Sequence, residues 1–314
     1  MRKKLHWEKA DLVVEPQISA EGVHSYQFDP TCPIELGFHV HTGRHHVRMN
    51  RHNYVELIYV CEGQGDFRIQ DRLYHLKRRD LVVIGPDVYH RILCPRGAQL
   101  RLASLNFRPE LVRTNDSSGD DEQYLMPFFS QDSTFPHVIR PSTGIPEKAC
   151  DLIKRIYGEL PATSSLARLA IKTHMRCILL LLAKHYSARL GTRGTFDRKR
   201  QALQRLQPVF EHLDIHFGDA LRVEDVARLC AMSTSHFMNF FKRHTGQSFV
   251  AYLSSFRISK AQALLLSTDR PISAISQEIG FCDQSYFGKV FHKLAGMTPL
   301  AYRRRFSDSN SSSR

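Results

Sequence analysis

A chain of 314 residues is long enough for two domains of ordinary size, each with its own core. With 42% hydrophobic and 24% charged residues it is neither disordered nor collagen-like. A formal net charge of +13 is more than an enzyme of neutral metabolites needs and suits a polyanionic partner, of which nucleic acid is the commonest.

The surplus lies behind residue 140. Residues 1–140 carry 18 basic and 18 acidic side chains, residues 141–190 carry 8 against 3, and residues 191–314 carry 18 against 10. A neutral front and a basic back imply two tasks on one chain. The seven cysteines are odd in number and none forms a CxxC pair, which argues against a zinc ribbon or disulfide framework and fits reduced thiols in the cytoplasm. The longest strongly apolar run, 177–183, is far short of the ~20 residues of a membrane span. The basic residues 1–4 precede no apolar segment, so neither secretion nor membrane contact is expected.

From about residue 35 to 107 the pattern is of short strands: 54–60, then a turn at Glu62-Gly63-Gln64-Gly65, then 66–70, 81–84 closed by Gly85-Pro86, and 100–107. Regular strands with such breaks predict an antiparallel β-sandwich or barrel within residues 1–140. The polar stretch 115–122 predicts an exposed loop. Apolar residues at helical spacing predict helices over 147–160 and 165–190. These pack on the barrel or on a second subunit, and residues 141–190 are assigned to dimerisation. Residues 191–201 are poor in apolar side chains and predict a linker. Residues 202–306 are helical throughout, and the Ser-rich 307–314 predict a disordered tail.

The helical region contains a repeat. Phe237, Phe241, Gly246, Ser248 and Tyr252 recur as Phe287, Phe291, Gly296, Thr298 and Tyr302, each offset by 50. Each copy reads helix, turn, helix, with Ser233 and Asp283 as N-caps and Gly246 and Gly296 just past the helix ends. A helix-turn-helix lays its second helix in the major groove of DNA. The helical wheel puts Phe237, Phe240, Phe241 and His244 in the core and Ser235, Met238, Asn239 and Lys242 outside. In the second copy Phe287, Val290, Phe291 and Leu294 are core, while Ser285, Gly288, Lys289 and His292 face out beside Gln284. Asn pairs with adenine, Lys donates to guanine, and Met packs on a thymine methyl. An 18-residue helix between the motifs spans about 27 Å, which suits two successive grooves. Arg257, Lys260, Arg303, Arg304 and Arg305 are candidate phosphate contacts.

The run Gly280-Phe281-Cys282-Asp283-Gln284-Ser285-Tyr286-Phe287-Gly288-Lys289-Val290-Phe291, with Gly296-Met297-Thr298-Pro299 and Tyr302-Arg303 behind it, resembles the signature of the AraC family of bacterial transcription regulators. The resemblance covers residues 205–306. It implies seven helices, two helix-turn-helix motifs joined by a long helix, asymmetric sites in double-stranded promoter DNA, a homodimer, and activation through contact with RNA polymerase.

Residues 50–63 resemble the first cupin motif and residues 80–90 the second, which together suggest the cupin-like barrel that many family members use as a sensor. Strand parity points His52 and Glu56 inward with Tyr54 and Ile58, and His90 joins them. Two imidazoles and a carboxylate can form a facial metal triad, but Asn50-Arg51-His52 stands where metal cupins have His-x-His. We therefore expect no metal or other cofactor. His52, Tyr54, Glu56 and His90 are assigned to a small-molecule effector, with sugars favoured by the family resemblance. His39, His41, His45 and His46 are expected in a surface loop.

The fold expected is thus a cupin-like antiparallel barrel with helices, followed by an all-α domain with two helix-turn-helix motifs. The rival readings are a metal-dependent cupin enzyme fused to a DNA-binding domain, and an architectural protein with an inert barrel. No GxSxG, P-loop or GxGxxG motif is present, and no catalytic residue is assigned.

Overall fold

One long strand, β3 (Val55–Ile69), organises the N-terminal domain in the computed structural model. The structure describes residues 11–12, 18–19, 22–43, 47–95, 97–112, 120–129, 131, 134–160, 162–188 and 194–310. The first half of β3 pairs with β5 (Leu81–Ile84) and β7 (Gln99–Phe107), and the second half with β4 (Arg72–Lys77) and β6 (His90–Leu93), all antiparallel. β2 (Ile34–Thr42) lies on β7 over nine residue pairs, β1 (Asp11–Leu12) pairs in parallel with β2, and β8 (Val138–Ile139) edges β5.

The turn expected at 62–65 is instead a bend inside β3. The register against β7 shifts between Val60 and Glu62, and Gly63 has φ +80°. A β-bulge inserts a residue and bends its strand. Here the bend carries one strand from one sheet to the other, so no chain reversal is needed.

Both faces of the first half of β3 are buried, which is why residues 57–60 are apolar without alternation. Val55, Leu57 and Tyr59 face the helices, in a core with Leu105, Phe107, Leu125, Phe128, Ile153, Ile156, Ile171, Met175 and Leu182. Ile58 and Val60 face the other way, with Phe67, Val82, Leu100 and Leu102. The helices are α1 (Asp120–Phe129), α2 (Ile145–Glu159) and α3 (Ser165–Tyr186). α1 begins inside the stretch expected as a loop; residues 115–119 lie outside the described residues.

The C-terminal domain has seven described helices: α4 (Gly194–His216), α5 (Val223–Leu229), α6 (Thr234–Thr245), α7 (Phe249–Ser267), α8 (Ile272–Glu278), α9 (Gln284–Ala295) and α10 (Pro299–Asn310). α4 starts inside the segment read as a linker, because its Arg, Lys and Gln residues are good helix formers despite their low hydropathy; residues 191–193 lie outside the described residues. α10 likewise runs through residues 307–310 of the expected tail, and 311–314 lie outside the described residues. One core joins Leu206, Val209, Phe237, Phe241, Tyr252, Phe256, Phe287, Phe291 and Tyr302, so the repeated aromatics form a single interior.

The two domains pack together through α4, α6 and α7. Ser259 Oγ donates to the Met49 carbonyl at 2.8 Å, and the Met49 amide donates to Gln262 Oε1 at 3.2 Å. Gln70 Nε2 donates to the Thr245 carbonyl at 2.8 Å. Arg51 links Asp87 at 2.6 Å to Asp214 of α4 at 3.4 Å. The Tyr89 and Tyr252 rings meet edge to face, centroids 5.2 Å apart.

Candidate effector cavity and DNA-reading face

The barrel encloses a cavity of about 600 Å³ whose lining includes His39, His41, Asn50, His52, Glu56, His90 and Ser104. Its polar focus is Glu56. Ser104 Oγ donates to Glu56 Oε1 at 2.8 Å, while Oε2 lies 3.1 Å from His52 Nε2 and 3.3 Å from His90 Nε2. The far nitrogen of each ring is held by backbone: His52 Nδ1 donates to the Tyr54 carbonyl at 2.9 Å and His90 Nδ1 to the Val88 carbonyl at 2.8 Å. A carbonyl can only accept, so both Nδ1 atoms carry the proton and both Nε2 atoms turn to the carboxylate. Burial pushes the His52 pKa down, more than offsetting the pull of Glu56. Burial alone would raise the Glu56 pKa, but the two histidines hold it well below the usual carboxylate range.

Tyr54 does not line the cavity as expected. Its ring stacks on His52 at 3.9 Å, and its hydroxyl meets His24 Nδ1 at 2.7 Å. In this position it orients the histidine. His39 and His41 sit on β2 and line the cavity instead of a surface loop; His45 and His46 lie outside the described residues. Sequence reasoning missed His24, Tyr26 and Gln27, which come from an irregular segment and also line the cavity. Burial there lowers the His24 pKa to about 4 and raises that of Tyr26 to about 12. No periodic pattern marks that segment, so nothing in the sequence singles it out.

In the C-terminal domain α6 and α9 are capped as the repeat requires. Ser233 Oγ accepts from the His236 amide, and Asp283 Oδ1 accepts from the amides of Ser285 and Tyr286. Gly246 and Gly296 close the helices at φ +80° and +74°. Ser235, Asn239 and Lys242 on α6 are exposed, as are Gln284, Ser285, Lys289 and His292 on α9. Met238 and Gly288 are half-buried. Nothing lies within 4 Å of a Cβ built on Gly288, so that face of α9 is open to close approach.

A profile described as an AraC-like ligand binding domain matches residues 33–179, and a helix-turn-helix domain profile matches residues 226–305. The chain belongs to the AraC family of transcription regulators. It is 27% identical to the transcriptional activator RhaR of Escherichia coli over 252 residues, covering 80% of this chain and 85% of RhaR. It is 34% identical to the regulatory protein PocR of Salmonella typhimurium over 106 residues, so it spans about a third of that relative (35%) and 34% of itself. Among solved structures, ToxT of Vibrio cholerae aligns over 90% of this chain and 99% of its own, at 11% identity and a TM-score of 0.47.

In this AraC-family domain several arginines are spent on the fold. Arg257 donates to three backbone carbonyls, Phe217, Asp219 and Gly280, each at 2.8 Å, and so ties α7 to the turn before α9. Arg303 donates to the carbonyls of Leu265 and Arg270. Both were expected at phosphates; these bonds give them positioning roles in the fold. Lys260 is buried over the Phe217 ring at 4.4 Å, and Arg305 donates to the Gly43 carbonyl. Arg304 is exposed. Arg257→Met is accordingly expected to cost about 2 kcal/mol in urea unfolding and to leave the salt dependence of DNA binding unchanged. Arg304→Ala should leave stability unchanged and lower that salt slope by about one unit. The reverse pattern would restore Arg257 to the phosphate contacts.

Among the described residues, no helix is long and apolar enough to cross a membrane.

Proposed function

We propose that this regulator is an activator that senses a small polyhydroxylated molecule of the sugar class in the barrel cavity and reads promoter DNA with α6 and α9. The observation that carries this reading is an alternation along the chain. Asn50, His52 and His90 turn into the cavity, whereas Met49, Arg51 and Tyr89 between or beside them meet the DNA-binding domain. A ligand that shifts one set moves the other. Such a ligand acts only if it binds the two domain arrangements with different affinity. The histidines, Asn50, Gln27 and Ser104 supply the mixed donors and acceptors that hydroxyl groups need.

Activation is the activity named for the relative RhaR; extended to this chain, it makes RNA polymerase a partner. A homodimer is supported by α3, where Leu166, Leu169, Cys177 and Leu180 are exposed at spacings that keep them on one side of the helix, Leu166 by 75% and Leu169 by 60%. Leu169→Glu is expected to convert the dimer to monomer in sedimentation. A dimer of unchanged affinity would move the interface elsewhere.

The effector reading is tested by thermal unfolding of the full chain against sugars and sugar acids. An effector at a hundred times its dissociation constant adds about 2.7 kcal/mol of stability, and it should change the affinity for promoter DNA. A chain stabilised by none of them, at saturating concentration, would contradict the sugar class.

A further inference from the structure

The hydrogen bonds around Glu56 leave three candidate ligand atoms facing one another. With both Nδ1 atoms committed to carbonyls, the Nε2 atoms of His52 and His90 are both aimed at Glu56 Oε2. Two imidazole nitrogens and a carboxylate oxygen brought together in this way make a donor set for a cation. One metal ion meets all three atoms at once.

We propose that His52 Nε2, His90 Nε2 and Glu56 Oε2 form a three-donor seat for a divalent transition-metal ion, with its remaining positions open to oxygen donors of the effector. This rests on the cavity being the effector site. The three donor atoms lie within 4.8 Å of one another, and all three residues are buried. Neighbouring donors of an ion with bonds of about 2.1 Å sit roughly 3.0 Å apart in an octahedron and about 3.4 Å apart in a tetrahedron. The two separations from Oε2, 3.1 and 3.3 Å, already fall in that range.

The surroundings have the form that metal ligands need. A ligating histidine donates its other ring N–H to a carbonyl or carboxylate, and a ligating carboxylate is itself hydrogen-bonded. The Tyr54 and Val88 carbonyls do the first and Ser104 the second. Asn50 is no ligand: its amide nitrogen donates to the Arg48 carbonyl at 3.0 Å and toward that of His90, so it braces the strand carrying His90. Three protein donors leave coordination positions for a ligand, and the cavity, with His39 and His41, supplies the room. Two imidazoles and one carboxylate favour zinc, iron, manganese or cobalt over magnesium or calcium.

The test is titration of the chelator-treated full chain with Zn²⁺, Mn²⁺, Fe²⁺ and Mg²⁺ by calorimetry, with Co²⁺ as a visible-absorption probe of nitrogen ligation. One transition ion should bind per chain, magnesium should not, and cobalt should show nitrogen-ligand bands in the unaltered protein. Ser104→Ala, which leaves all three donors in place, should weaken binding about 10- to 100-fold. His90→Gln and Glu56→Gln, checked for folding by circular dichroism, should abolish it. Absence of a one-to-one transition-metal site in the unaltered chain overturns the proposal, as does binding that survives these substitutions. If a sugar stabilises the metal-free chain as well as the loaded one, the metal seat falls and the effector site stands. If neither metals nor sugars stabilise the chain, both fall.

Discussion

Gly63→Ala is expected to be among the most damaging single substitutions in the N-terminal domain, at about 4 kcal/mol, the diagnostic end of the usual range. Two costs add. Residue 63 sits at φ +80°, where a side chain costs roughly 1–2 kcal/mol. A Cβ there would also stand 1.8 Å from the Gln99 carbonyl oxygen, which is backbone of the paired strand and cannot swing away. To make room, β3 and β7 must part, and β7 holds Ser104 against Glu56. Gly97→Ala supplies the control. Gly97 has the same φ, with nothing within 4 Å of the added carbon, so it should cost only about 1 kcal/mol. Urea unfolding of both variants separates strain from collision, and equal costs would show that the bend can relax.

The second large effect sits on α9, where neighbouring positions do different work. Phe287 is fully buried against Phe281 and Phe291, and truncation of such a ring to alanine costs about 3–5 kcal/mol. Phe287→Ala should therefore lower the melting temperature and abolish DNA binding by loosening the second motif. Lys289, two residues on, is exposed. Lys289→Ala should leave melting unchanged, weaken binding by about 1–3 kcal/mol, and relax specificity at one base pair. Unchanged selectivity would remove Lys289 from the base readers.

The DNA-binding domain was legible because its signals are local. A cap such as Asp283 and a left-handed Gly296 act within one turn of the helix they bound, and their recurrence at a fixed offset marks both motifs. The barrel was legible as a class but not in its path. Gly63 fits a hairpin turn and a bulge equally well, and only pairing with distant β7 decides between them. The roles of Arg257 and Arg303 were hidden for a related reason. Their charge suggested phosphate, but their acceptors are backbone carbonyls 23 to 40 residues away. Within the cavity, motif spacing found His52, Glu56 and His90. His24 and Tyr26 arrive from a segment with no pattern, and Tyr54 stacks on the His52 ring outside the cavity lining.

The account rests first on a chain that reads sequence through two helices set one helical turn apart. The most direct test is selection of bound duplexes from a random DNA pool by the full-length protein. The account predicts a non-palindromic, two-part motif whose blocks lie about 10 base pairs apart, centre to centre, with the block read by α9 altered by Lys289→Ala. Enrichment of no motif, with binding spread evenly over the pool, would contradict it.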